Sequence, residues 1–367
     1  MSQSIDRITL RGFKSIEELE EFPVNRLNVL IGANGAGKSN FVDFFRMLRA
    51  FADERFQQFV RESGAGDGFF YLGPKRTPKI SARLEFGDNS YEFELIPTAD
   101  GSLQFARERL GFKDYSESIS GGTIESVLKA SKDQPGLRGG RRGVPFYVYD
   151  AVSSWTVYHF HDTSPLAAMR RDQSSRDNIT LRPDGSNIAA FLHAIRDNQP
   201  GTYRLVRDTV RLMAPFFDDF LLRAQEMGRR EQVRLEWRQK GSDFPFQPYQ
   251  LSDGTIRFVC LATALLQPEP PAAIVIDEPE LGLHPYAVSI LADLIKSAST
   301  RTQVIVSTQS PTLLDYFEPH EIVVVNREKG RSTFERLDGE SLREWLDDYS
   351  VGELWQKNVV RGGPTGE

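Results

Sequence analysis

The spacing of apolar positions changes several times along the chain, and each change predicts an element. Ile5 to Arg11 alternates as a strand does. Arg26 to Ile31, RLNVLI, is short, branched and followed at once by glycine, which predicts a buried strand. A helix should begin near Lys38 and run through NFVDFFRMLRAF. Lys79 to Phe86 and Tyr91 to Ile96 flank GDNS and predict an antiparallel hairpin, a departure from simple αβ alternation.

Between about 100 and 185 the pattern weakens. A short helix is expected within Ile119 to Lys132, followed by the irregular basic connection PGLRGGRRG. Ser186 to Arg196 and Tyr203 to Phe217 read as helices punctuated by Pro200 and Gly201, and Gln232 to Trp237 reads as a strand. Sustained heptads are absent, so no long coiled-coil arm is expected. The later chain returns to α/β order: Ala272 to Ile276 a strand, Tyr286 to Ala298 a helix, Thr302 to Ser307 a strand, Pro311 to Phe317 a short helix, Glu321 to Asn326 a strand. The tail from Arg361 should fray.

Composition narrows the class without changing this outline. With 367 residues, 40% of them hydrophobic, the chain can bury one large core or two ordinary ones. No run reaches the roughly 18 apolar residues of a membrane helix, and the N-terminus is charged where a secretory signal is apolar. A cytoplasmic protein with no membrane partner is expected. Cys260, the single cysteine, can form neither an internal disulfide nor a thiolate metal site alone, and reads as a core residue. The net charge of -6 offers no general basic field. Two local basic runs stand out, GLRGGRRG with Arg138, Arg141 and Arg142, and AMRRDQSSR with Arg170, Arg171 and Arg176. They read first as solvated loops and second as a contact surface for nucleic acid or an acidic partner.

GANGAGKS, Gly32 to Ser39, fits G-x-x-x-x-G-K-S and stands between a predicted strand and a predicted helix. Backbone N–H groups in such a loop cradle phosphate oxygens, and its glycines allow the tight turn. The nucleotide-contact set is Gly32, Asn34, Gly35, Gly37, Lys38, Ser39 and Asn40, with Lys38 facing the terminal phosphates and the Ser39 hydroxyl on Mg²⁺. AAIVIDEPELGLHP supplies an acid at the end of a buried strand. Asp277 would join Ser39 in the magnesium shell, and Glu278 would accept a proton from the water attacking the γ-phosphate.

LSDGTIR, Leu251 to Arg257, opens a further helix and, taken alone, reads as a Ser/Asp cap. In the order IDRITLRGFKSI, GANGAGKSN, LSDGTIR, VIDEPELGLHP and VIVSTQSP, however, the chain resembles the ABC-type ATPase heads of SMC and RecF-like proteins, particularly small bacterial ATPases of the RecF/OLD-like group. The resemblance covers roughly residues 1 to 345. It implies an α/β P-loop NTPase with a two-lobed head, N-terminal antiparallel hairpin elements and a helical insertion. The expected division is a first lobe over 1–100, a mainly helical insertion over 101–240, a second lobe over 241–350 and a tail over 351–367.

The same resemblance implies ATP as the nucleotide and an ATP-dependent head-to-tail homodimer, in which Ser252 and Gly254 meet the γ-phosphate held by the other chain. ELGLH, Glu280 to His284, falls where such heads place the loop joining two sites, so His284 is expected to be a loop or interface residue. Gln309 stands where the family often has a switch histidine; it can sense the γ-phosphate but cannot exchange a proton near neutral pH, so hydrolysis should be slow. Asp253 replaces the usual middle glycine and should pair with a basic residue, Arg257 being four positions on. Lys14 and Ser15 follow a family-like FKS segment where adenine contacts are expected, and FFYLGPK, Phe69 to Lys75, lies where a glutamine-bearing coupling loop belongs but has no glutamine.

The expected function is an ATP-dependent switch acting on DNA or a separate effector, by analogy with relatives in chromosome maintenance, repair and anti-phage defence. The alternative is a regulatory or scaffolding subunit with incidental hydrolysis. About 40 residues follow Asn326 in this sequence, so no appended nuclease domain is expected within it. The FKS segment and hairpin favour the RecF-like branch over transporter ATPases.

Overall fold

The computed structural model describes residues 4–113, 115–133, 143–227, 230–360 and 362. Arg138, Arg141 and Arg142, and most of the tail from Arg361, lie outside the described residues. The chain divides into two compact units, one formed by Met1–Val157, Pro271–Val275 and Thr302–Glu367, the other by Tyr158–Pro270 and Ile276–Arg301.

The first unit holds the sharpest sequence patterns. β1 (Arg7–Phe13), β2 (Ile16–Pro23), β4 (Ile80–Phe86), β5 (Asn89–Pro97), β6 (Leu103–Phe112) and β7 (Tyr115–Ser120) form an antiparallel sheet in the order β2-β1-β4-β5-β6-β7. Phe86 pairs with Asn89, so the β4–β5 turn is Gly87-Asp88 with Gly87 at φ 57°, the first-position glycine that a tight hairpin favours. The short helix expected within Ile119 to Lys132 is Leu128–Ser131, and β7 runs into the start of that range. It is a largely exposed edge strand, so YSESIS needs no apolar alternation and shows none.

A second sheet is mainly parallel, with β3 (Leu27–Ile31) at its centre. Its order is Arg331–Arg336, Ile322–Glu328, β3, Gln303–Thr308, Ala273–Asp277 and β8 (Thr156–Tyr158). Every residue of β3 is buried, as a central parallel strand requires. Its one polar side chain, Asn28, is satisfied by donating to the Asn25 carbonyl at 2.7 Å and accepting from Arg336 Nη2 at 2.6 Å. α1 (Lys38–Ala52) joins the two sheets in one core: Phe44 stacks on Phe93 of β5 with ring centroids 6.5 Å apart, and Phe41 lies 5.3 Å from Phe334 of Arg331–Arg336. Truncating a buried ring of this kind costs about 3–5 kcal/mol.

In the second unit, helices Ile188–Asn198 and Pro200–Met213 are separated at Gln199, with Pro200 in the first turn of the latter. The helix expected to reach Phe217 stops at Met213, because Pro215 disfavours helical geometry at Ala214 and Phe217 begins the strand Phe217–Leu221. The strand expected over Gln232 to Trp237 is two strands in different sheets, Arg230–Val233 and Glu236–Gln239. Trp237 stacks on Phe246 at 4.6 Å and on Phe217 at 6.2 Å. The helix Asp253–Leu266 is buried continuously from Thr255 to Leu266, with Thr263 bonding the Val259 carbonyl at 2.7 Å to satisfy its hydroxyl. Cys260 is buried here, and burial pushes its thiol far above its ordinary range, as expected of an inert core residue. Among the described residues no helix is long and apolar enough to cross a membrane.

Candidate functional site

Gly32–Ser39 connects β3 to α1 in the first unit. Its turn uses positive φ at Gly35 (78°) and Gly37 (116°). Gly37 has a second constraint: a β-carbon there would collide with the Ser332 hydroxyl and come within 2.8 Å of Ser15 Oγ. Ser332 Oγ also bonds the Ala36 carbonyl and lies 2.7 Å from Ser15 Oγ. Asn40 donates to that Ser15 oxygen at 2.6 Å, so its amide is engaged in the loop's foundation. From the far side, Ala33 N–H donates to the Gly362 carbonyl at 3.0 Å.

The upper face of the loop is open. Asn34, Gly35 and Ser39 are exposed, α1 has no side-chain cap, and no acidic residue occupies its first turn. The N–H groups of the first helical turn and the positive helix end suit this face to receive an anion. Lys38 is buried and folds back along the loop, donating to Gly32 O at 2.7 Å and Ala33 O at 3.2 Å. Of the FKS pair, Lys14 forms an ion pair with Asp43 at 2.6 Å above the Phe69 ring, and Ser15 lies beneath the loop.

Gln309 leaves the sheet beside this loop. Gln303–Thr308 runs parallel to β3 with Thr308 opposite Ile31, so Gln309 and Gly32 follow adjacent strand ends. Ser310 then caps the short helix Pro311–Leu314 through Leu313 N–H at 3.2 Å.

The acidic pair belongs to the second unit. Asp277 Oδ1 is buried and has no hydrogen-bond partner among the described residues. A carboxylate oxygen left in this state fits a cation, and Mg²⁺ characteristically takes only one or two protein oxygens with the rest from phosphate and water. Asp277 therefore has the right chemistry to hold it. Glu278 is held at φ 45°, a conformation costing a side-chain-bearing residue roughly 1–3 kcal/mol. The chain after it turns sharply, with Leu281 N–H on the Glu278 carbonyl and Leu283 N–H on that of Glu280. His284 closes the turn as a helix cap, its Nδ1 accepting from Tyr286 N–H at 3.3 Å.

Ser252 caps the helix Asp253–Leu266, accepting from Thr255 N–H at 3.1 Å. Gly254 lies so close to the loop after Glu278 that a β-carbon would sit 2.5 Å from the Gly282 carbonyl. Asp253 does not pair with Arg257. Its partner is Arg170, at 2.8 Å. Arg257 points inward instead, donating to the carbonyls of Phe160 at 2.9 Å, His161 at 3.2 Å and Leu281, and burial lowers its pKa. Arg170 is likewise buried, and Arg171 donates to the Leu166 carbonyl, so the run AMRRDQSSR is not simply a solvated basic patch. Ser332 and Arg170 were not singled out for these roles by the sequence, since their partners lie about 300 and 80 residues away.

Residues 27–315 match the family described as "AAA domain, putative AbiEii toxin, Type IV TA system". The DNA double-strand break repair Rad50 ATPase of Thermoplasma acidophilum is 34% identical over 91 residues, 25% of this chain, and the chain spans only 8% of that relative. Among solved structures, an Smc head bound to the C-winged helix domain of ScpA superposes with TM-score 0.60 at 16% identity, covering 93% of this chain and 99% of the other. The Smc head of Pyrococcus furiosus, with an extended coiled coil and bound to the C-terminal domain of ScpA, gives 0.57 at 15% identity, covering 94% and 99%. The chain therefore belongs to that AAA-domain family, and its fold is that of the Smc ATPase heads.

Proposed function

We propose that the protein binds ATP with Mg²⁺, hydrolyses it slowly to ADP and phosphate, and uses bound ATP to close two copies head to tail. The observation that carries this reading is the end of the strand Ala273–Asp277, where a buried Asp277 oxygen with no hydrogen-bond partner among the described residues is followed by Glu278 in a strained backbone conformation. Strain of this kind collects where a side chain must be aimed rather than merely accommodated.

The loop amides from Gly35 to Ser39 and Lys38 would hold the phosphates, with Ser39 and Asp277 holding Mg²⁺. The metal, when bound, supplies charge neutralisation on the phosphate oxygens. Glu278 orients a water and takes its proton as the oxygen bonds to the γ-phosphorus and the bond to the ADP oxygen breaks. Gln309 can hydrogen-bond that water or the γ-phosphate but cannot shuttle a proton, which makes turnover slow. Ser252 and the Gly254 amide would meet the γ-phosphate of the other copy. Exposed Tyr249, Leu281 and Tyr286, in the segments flanking this knuckle and the loop packed on it, give that face the apolar character of an interface.

The downstream partner is DNA or a separate effector protein in the cytoplasm, suggested by the names of the Rad50 and Smc relatives. A regulatory subunit with incidental hydrolysis is the second reading, and Gln309 favours it. Sedimentation of Glu278→Gln with and without ATP, beside wild-type turnover at several protein concentrations, tests the mechanism. A dimer formed only with ATP, and turnover that rises with protein concentration, are expected. A persistent monomer together with concentration-independent turnover rules out the shared site.

A further inference from the structure

We infer that Arg170 is a positioning residue for the Ser252–Gly254 turn that opens the helix Asp253–Leu266, holding Ser252 in place while cancelling the Asp253 charge beside it. This rests on the proposed shared ATP site. The side chain of Arg170 is 4% exposed, and a guanidinium is tolerated at such a place only if its donors are matched. Nε donates to Thr163 O at 3.0 Å, Nη1 to Pro248 O and to Leu251 O at 3.1 Å, and Nη2 to Asp253 Oδ1 at 2.8 Å. Two of these acceptors are the immediate neighbours of Ser252. One planar fork therefore fixes the backbone before the serine and the side chain after it.

The neighbouring helical turn is braced in the same way. Arg257 draws the carbonyls of Phe160, His161 and Leu281 onto the helix, and Gly254 packs against Gly282. Segment 160–170 and the loop after Glu278 are thus bound to one knuckle from two sides.

Charge distinguishes this role from ordinary core packing. The Asp253 side chain is 71% exposed at the start of the helix, where an incoming phosphate would be received. Left unpaired, its carboxylate repels that phosphate. Arg170 offsets the repulsion through its 2.8 Å ion pair with Asp253.

The test uses full-length protein in the Glu278→Gln background, with ATP-dependent dimerisation read by sedimentation and ATP affinity read on dilute single chains. Arg170→Met is expected to raise the protein concentration for half-dimerisation by about tenfold, with single-chain ATP affinity within about twofold. Adding Asp253→Asn to Arg170→Met should recover at least about threefold of that loss, since the uncompensated charge is gone. Wild-type dimerisation of Arg170→Met, or no recovery in a folded double variant, overturns the inference. If Arg170→Met does not fold, Asp253→Lys decides: repulsion from Arg170 should weaken dimerisation by about tenfold despite the added positive charge, and dimerisation equal to or tighter than the reference overturns the positioning role. Failure of the reference Glu278→Gln protein itself to dimerise with ATP is a failure of the shared-site reading instead.

Discussion

The Ser332 hydroxyl fills the space where a β-carbon on Gly37 would stand. This contact ties the phosphate loop to a hairpin about 300 residues later in the chain, and Gly37 also holds φ 116°. Gly37→Ala should therefore weaken ATP binding by more than about tenfold, combining steric collision with roughly 1–3 kcal/mol of backbone strain. Adding Ser332→Ala should not restore it, because the strain and the Ser15 contact persist. Calorimetric titration with ATP checks both variants; restored binding in the double variant would place the whole constraint in the Ser332 contact.

At Asp277, function and stability should move in opposite directions. Its buried oxygen, without a hydrogen-bond partner among the described residues, suits a cation, and without one it carries an unmet desolvation cost. Asp277→Asn should raise the Mg²⁺ concentration for half-maximal turnover by about tenfold or more while stabilising the nucleotide-free protein by about 1 kcal/mol. Chelation should abolish wild-type turnover, and Mg²⁺ should restore it. Magnesium titrations of turnover, paired with urea unfolding, separate the effects; an unchanged magnesium requirement removes Asp277 from the metal shell.

How much of this site could be read in advance depended on how local its causes are. The helix beginning at Lys38 was legible because glycine, a phosphate-loop pattern and apolar spacing all occur within a few residues. The turn at Gly87-Asp88 was legible for the same reason. YSESIS was not, since an exposed edge strand needs no apolar face. Val144–Ser154 carries β-favouring VPFYVYD yet is helical, its Val148, Ala151 and Val152 buried in the first unit's core, a case of tertiary packing overriding local preference. Asp253 shows the same limit at the site. The helical spacing pointed to Arg257, but carbonyls of Phe160, His161 and Leu281 claim that guanidinium, and the true partner lies 83 residues upstream.

Gln309 offers a gain-of-function test. It follows the strand end beside Gly32. Gln309→His would add a group able to exchange protons and should raise turnover by about tenfold. The gain should grow as pH rises through about 6.5, where imidazole becomes neutral and can accept a proton. Gln309→Ala should fall below wild type. Turnover profiles across pH decide the matter: equal rates for all three proteins would leave Gln309 outside the reaction.

Glu108 on β6 should make stability depend on pH. The carboxyl is fully buried, with Oε1 accepting from Tyr91 Oη at 2.6 Å and from Ser126 Oγ, and Oε2 accepting from Val127 N–H at 3.1 Å. Burial pushes its pKa up, and the bonds from Ser126, Tyr91 and Val127 pull it only partly back. A folded-state pKa above the unfolded value means that the contribution is fully present below the unfolded pKa, with Glu108 protonated in both states. It is lost as pH rises through the folded pKa, where the buried group must ionise. Glu108→Gln keeps the shape and an acceptor but never ionises. The stability of wild type relative to Glu108→Gln should therefore fall as pH rises above the ordinary glutamate range. Urea unfolding of both proteins across that rise in pH measures the difference directly, and a difference that is flat, or that grows with pH, means that the hydrogen bonds outweigh burial at this site.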